Sequence, residues 1–148
     1  MTDLVFVDAN VLVYARDAGE AEKRPKAEAW LAHLWRSGTG RLSAQVLREF
    51  YVTVTAKLDA SVSRAEVRED VRNLLAWERH LPESRLAEDA WRIEDRYQLH
   101  WWDARIVAAA QQLGCTYVLS EDFSPGVRFD DLEVVSPFQG TPEQVLGA

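Results

Sequence analysis

Asp3-Leu-Val-Phe-Val-Asp8-Ala-Asn10 is the stretch whose reading decides the fold. Leu4 to Val7 is apolar, β-branched and aromatic, and too short for a helix, so it reads as a buried strand. Asp8-Ala-Asn10 stops the strand, and Val11 to Ala15 reads as a brief helical turn. Two later runs have the same character, Thr116 to Leu119 and Leu132 to Val135, and Arg41 to Ser43 is a shorter candidate. Between them the apolar period changes to that of helices. One is expected from about Pro25 to Arg36, with proline in its first turn, and one from Ala44 to about Leu58, with Val46, Leu47, Phe50 and Val54 inward. Ser63-Arg-Ala-Glu66 is a capping box, followed by Val67, Val71, Leu74 and Leu75 at core spacing. After Pro82, a helix carries Leu86, Ala90, Ile93 and Tyr97; another starts at Asp103, carries Ile106, Val107, Ala110 and Leu113, and is closed by Gly114. Short strands separated by helices predict an α/β fold, a mostly parallel central sheet flanked by helices on both faces, as one domain over residues 1–148.

In such a sheet the carboxyl ends of the strands share one edge, and ligands bind in the crevice there. Asp8 directly follows the first strand, and Asp122 lies just beyond the Thr116 strand in Val-Leu-Ser120-Glu121-Asp122. Asp103 begins a helix that a right-handed crossover brings to the same edge. Glu49 lies off the apolar stripe of the Ala44 helix, with Gln45 and Thr53 on one polar face. Converging carboxylates raise one another's pKa unless a cation offsets them, and oxygen donors suit Mg²⁺ or Mn²⁺. Each acid also has an ordinary reading. Asp8 and Asp103 stand where helix N-caps would, Glu49 could be a solvated helix residue, and Glu121 with Asp122 could belong to a turn.

The whole composition sets bounds. The 148 residues carry a net charge of −7 and a pI near 5.0, which argues against gripping nucleic acid by a bulk positive field. Most of the 17 basic residues are nonetheless arginines, which fork onto phosphate. The single Cys115 excludes an internal disulfide and a four-cysteine zinc site, and points to a reducing, cytoplasmic setting. No apolar run approaches the ~18–20 residues of a membrane span, and the first is too short for a secretory leader.

Four segments together resemble the PIN-domain family, and within it the VapC-type toxin ribonucleases. They are Leu4 to Tyr14, Leu42-Ser-Ala-Gln45-Val-Leu-Arg-Glu49-Phe50, Trp102-Asp103-Ala-Arg-Ile-Val107, and Tyr117-Val-Leu-Ser-Glu-Asp122-Phe with Gly126 and Leu132 to Phe138. The resemblance spans residues 3 to 138. It implies metal-dependent cleavage of RNA, one or two Mg²⁺ or Mn²⁺ ions, a toxin role silenced by a cognate antitoxin, and a homodimer. It also implies that Asp8, Glu49, Asp103 and Asp122 occupy the metal-cluster and catalytic positions, with Asn10 and Ser120 orienting them. Glu121 is an alternative to Asp122.

Around this cluster, Arg16, Arg41, Arg48 and Arg105 are candidate phosphate contacts. Trp101 and Trp102 are candidate stacking surfaces for a base or core residues, and Trp30, Leu34, Trp35 and Tyr51 a candidate groove for an antitoxin helix. His33, His80 and His100 lack metal-ligand spacing, and Cys115 reads as buried at a strand start. A phosphoacceptor receiver domain is excluded because no lysine follows Lys57. A partner-binding module without catalysis, and a DNA-directed nuclease with the same acids, are the other readings weighed.

Overall fold

A computed structural model of the chain describes residues 2–57 and 62–147. The order of elements is β1 (Val5–Val7), α1 (Ala9–Arg16), α2 (Lys23–Ser37), β2 (Gly40–Arg41), α3 (Ala44–Lys57), α4 (Arg64–Leu74), α5 (Glu83–Tyr97), α6 (Trp101–Gln112), β3 (Tyr117–Leu119), β4 (Arg128–Phe129), β5 (Leu132–Val135) and α7 (Pro142–Leu146). The sheet order is β2-β1-β3-β5-β4, parallel except for the antiparallel β4–β5 pair. Val5, Phe6 and Val7 are all fully buried. Successive strand residues point to opposite faces, so both faces of the sheet are covered.

Chain direction places the crevice. From β1 the chain steps to β2 on one side, and from β3 it steps to β5 on the other. The two strands are neighbours, with Val7 opposite Leu119. Connections that diverge from adjacent parallel strands leave an opening at their carboxyl ends, a topological switch point. Asp8 and Ser120 are the first residues beyond the two strands, and the Asp8 amide donates to the Leu119 carbonyl at 3.0 Å.

The core stripes expected from periodicity are inside: Trp30, Leu34, Val46, Phe50, Val67 and Ala90 are buried. Full burial of a large apolar side chain stabilises by roughly 1.5–3 kcal/mol. The Ser63–Glu66 capping box forms in both directions, at 3.1 and 3.2 Å. Gly114 closes the α6 segment with φ 73°. Gly40 is required by packing: a Cβ there would lie 2.6 Å from the buried Trp77 ring.

Several boundaries differ from expectation. α1 is a full helix over Ala9–Arg16, because Asp8 caps it and its side chain accepts the Ala9 amide. α6 begins at Trp101, so Asp103 sits in its first turn and His100 occupies the cap position without a side-chain bond. Leu75 is 52% exposed, since α4 ends at Leu74 and its apolar face turns away. The short strand is Gly40–Arg41, with Leu42 bridging to Glu78. β4 and α7 were not anticipated; Leu58 lies outside the described residues.

Candidate active site

The wall of the crevice nearest the sheet is a network around one buried carboxylate. Asp8 is 5% exposed and Ser120 fully buried. One Asp8 oxygen accepts the Ala9 amide at 2.8 Å, and the other accepts the Ser120 hydroxyl at 2.7 Å. Asn10 donates to Ser120 at 3.2 Å and lies 3.4 Å from Asp8, while its carbonyl accepts the Glu121 amide at 3.2 Å. The Asp122 amide closes the loop on the Ser120 oxygen at 3.0 Å. Ser120 has one proton to give, and these bonds direct it to Asp8.

Electrostatics tie the other acids to this one. Burial, opposed by the hydrogen bonds from Ser120 and Ala9 and aided by the charges of Asp122 and Glu49, raises the Asp8 carboxyl to about 6. Burial also raises Asp103, again with Asp122 adding to it and His100 opposing. Asp8, Glu49, Asp103 and Asp122 therefore share one field. Glu49 projects from α3, where Gln45 one turn earlier donates to it at 3.0 Å. Glu121 is engaged elsewhere: Lys23 pairs with it at 2.5 Å, and the Tyr14 hydroxyl donates to its other oxygen. Lys23 also lies over the Tyr14 and Phe138 rings.

Among the described residues no three acidic, histidine or cysteine side chains stand close enough together to form a finished metal cage. Asp122 bears on both Asp8 and Asp103, and Glu49 on Asp8. The donor set still fits a hard divalent cation. It is all oxygen, its central member is desolvated, and no basic side chain among the described residues hydrogen-bonds to Asp8.

The PIN domain family model matches residues 5–125, most of the chain and all four acids. The chain belongs to the PIN domain family. Three solved structures resemble this PIN fold. A toxin–antitoxin complex from Klebsiella pneumoniae is 19% identical, with 90% of this chain and 97% of that one covered and a TM-score of 0.64. VapC20 of Mycobacterium tuberculosis, described as a sarcin–ricin-loop-cleaving toxin, is 24% identical, with 87% and 98% covered and a TM-score of 0.61. FitAcB of Neisseria gonorrhoeae is 17% identical, with 92% and 99% covered and a TM-score of 0.62. No curated protein matches the chain in sequence at a significant level.

Around the PIN crevice the candidate cations divide. Arg16 forks onto Asp70, with both contacts at 2.6 Å, and Glu66 stands 3.7 Å away. Arg105 is held by Glu83 and Gln45, and Arg41 donates to the Gly38 and Gly40 carbonyls. Arg48 is exposed. Trp101 stacks on Trp91 with centroids 5.9 Å apart, whereas Trp102 is 63% exposed. His33 faces Glu143 at 3.8 Å, His80 is exposed, and Cys115 is buried with its thiol pushed up to about 12.

The expected apolar groove needs correction. Trp30 and Leu34 lie in the core, on the inner face of α2, and are not available to a partner. A groove of about 650 Å³ does run beside them, lined by Leu12, Leu31, Trp35, Phe50 and Leu74, with Asp70 at its rim. Tyr51 belongs to a different depression with Leu47, Val52 and Val71. Sequence reasoning also missed Lys23, Tyr14 and Glu83 around the site. The Gln45–Glu49 spacing was visible, but nothing local connects Glu83 with Arg105 or Lys23 with Glu121. No helix among the described residues is long and apolar enough to cross a membrane.

Proposed function

We propose that the chain is a divalent-metal-dependent endoribonuclease of the cytoplasm and the toxin of a type II toxin–antitoxin pair. The observation that carries the reading is Asp8, a buried carboxylate coupled to Asp122 and Glu49 at the switch point of the sheet, to which no basic side chain among the described residues hydrogen-bonds. That arrangement disfavours the charged form unless a cation arrives. Asp8, Asp103, Asp122 and Glu49 are the residues that would hold Mg²⁺ or Mn²⁺, as one ion or two. When bound, the ion lowers the pKa of a water and neutralises charge growing on the phosphodiester.

The chain's own residues supply the positioning. Ser120 and Asn10 fix the Asp8 carboxylate in the orientation in which it meets a ligand. The Ser120 hydroxyl is fully buried, which suits a tether and not a nucleophile. Water is then the attacking group, and the reaction is hydrolysis without a covalent enzyme intermediate. Asp122 is the fourth acid in this reading, because Glu121 is already paired with Lys23. The groove between α1, α2 and α4 suits an apolar antitoxin segment, with toxin–antitoxin complexes among the structures of like fold in support. A homodimer is part of the same proposal.

The test is cleavage of an RNA pool by the purified chain and by Asp8→Asn, with Mg²⁺, with Mn²⁺ and with EDTA. The expected result is cleavage that needs metal and is lost in the variant. Absence of cleavage under every condition would favour a partner-binding module without catalysis. Cleavage of DNA in preference to RNA would favour the DNA-directed reading.

A further inference from the structure

Glu49 differs from the other acids in being carried in mid-helix on a long side chain, with no strand end to fix it. A glutamate has three side-chain torsions to settle, and losing that freedom opposes ligand binding. Side chains from α5 and α6 reach it through Gln45, one turn earlier on α3. Arg105 lies only two residues beyond Asp103 on α6.

Arg105 is held from three sides. Its guanidinium forks onto Glu83 of α5, the longer contact being 3.1 Å. It lies 5.5 Å from the centre of the Trp101 ring, which is itself backed by Trp91. Its side chain is only 12% exposed. The remaining Nε–H donates to the Gln45 carbonyl at 3.1 Å. This decides the orientation of the Gln45 amide: with its oxygen toward Arg105, its NH₂ turns to Glu49 and donates at 3.0 Å. One Glu49 oxygen, Oε1, is thereby held, while Oε2 accepts no hydrogen bond among the described residues.

We propose that Glu83, Arg105 and Gln45 form a relay that positions Glu49 for the metal. This rests on the reading of the four acids as metal-binding. The relay passes orientation from α5 and α6 to α3, but not charge. The group that meets Glu49 is a neutral amide and not a cation. Gln45 and Arg105 are positioning residues, and Asp103 and Glu49 are linked through the helix that carries both Asp103 and Arg105.

The experiment is calorimetric titration of the metal-free full chain with Mn²⁺, for wild type, Asp8→Asn, Gln45→Leu, Glu49→Gln, Arg105→Lys and the Gln45→Leu/Glu49→Gln double variant, with thermal melts to confirm folding. Loss of an outer partner of a ligand typically weakens metal affinity 10- to 100-fold. Gln45→Leu is expected to weaken Mn²⁺ binding by about 10-fold, and Arg105→Lys similarly, since lysine cannot fork onto Glu83 while meeting Gln45. On the Glu49→Gln background, Gln45→Leu should have no further effect. Mn²⁺ binding that needs Asp8 but ignores Gln45, or that Gln45→Leu weakens equally with and without Glu49, overturns the relay alone. No Mn²⁺ binding by the wild type overturns the functional reading and the relay with it.

Discussion

The two walls of the crevice are built in different ways. The wall at the sheet holds Asp8, Asn10, Ser120 and Asp122 on turns that leave adjacent parallel strands. Strand register and hydrogen bonds, buried at Asp8 and half-buried around it, fix these side chains within a few residues of the core. The facing wall, on α3 and α6, carries Glu49 and Asp103 on helix surfaces. Asp103 has only the geometry of a first helical turn, and Glu49 depends on partners from two other helices. One wall is tied to the sheet around a desolvated carboxylate; the other is arranged by half-buried bonds between helices. The sheet wall should therefore dominate function, and its alteration should be felt in stability as well.

The largest effect is expected at Asp8. Asp8→Asn should lower metal-dependent cleavage at least about 100-fold, the scale on which single electrostatic contributors act in active sites. The same change should stabilise the metal-free protein. The folded pKa is raised to about 6 from 3.8, so the native state binds more protons than the unfolded one between those values. Stability from this group is present below pH 3.8 and lost as pH rises through about 6. The shift corresponds to about 3 kcal/mol at neutral pH. Urea unfolding in EDTA at pH 4 and pH 7 should show Asp8→Asn gaining on wild type only at the higher pH, and an equal difference at both would contradict this.

Next in size is the contrast between neighbours. Asp122→Asn should reduce cleavage roughly 10- to 100-fold, while Glu121→Gln should change it little, because Glu121 is bound to Lys23 and Tyr14. Equal losses would break the distinction between them. Ser120→Ala removes the hydroxyl that orients Asp8 and should reduce cleavage about 10-fold, with the midpoint of the acid limb of the pH–rate profile displaced upward. The smallest functional effect belongs to a change away from both walls. Gly40→Ala pushes a methyl against Trp77 and should cost roughly 1–3 kcal/mol of stability, leaving activity per folded molecule unchanged.

The same contrast explains what the sequence discloses. β1, β3 and β5 are short apolar runs with nothing else to be, and Asp8 and Asp122 stand just past two of them. The sheet wall was legible because its geometry follows from chain direction and a period of two. Asp103 was expected to open its helix, and it lies instead in the first turn of one that starts at Trp101. His100 takes the cap position, which local preference would give to an aspartate. The helix wall was legible only in part: Gln45 and Glu49 share a face by spacing, but Arg105 and Glu83 meet them through tertiary packing of α5 on α6. The expected apolar groove was misplaced for a related reason. Periodicity shows that α2 has an apolar side, yet Trp30 and Leu34 are spent on the core and Trp35 alone of that trio reaches the surface. β4 is two residues long and carries no pattern to read.

The most direct test is anomalous diffraction from crystals of the chain soaked in Mn²⁺ at neutral pH. A manganese peak in the crevice, with oxygens of Asp8, Asp103 and Asp122 drawn onto it and Glu49 facing it, is the predicted result. A crevice without manganese, or manganese bound at a site that does not include Asp8, would contradict the account.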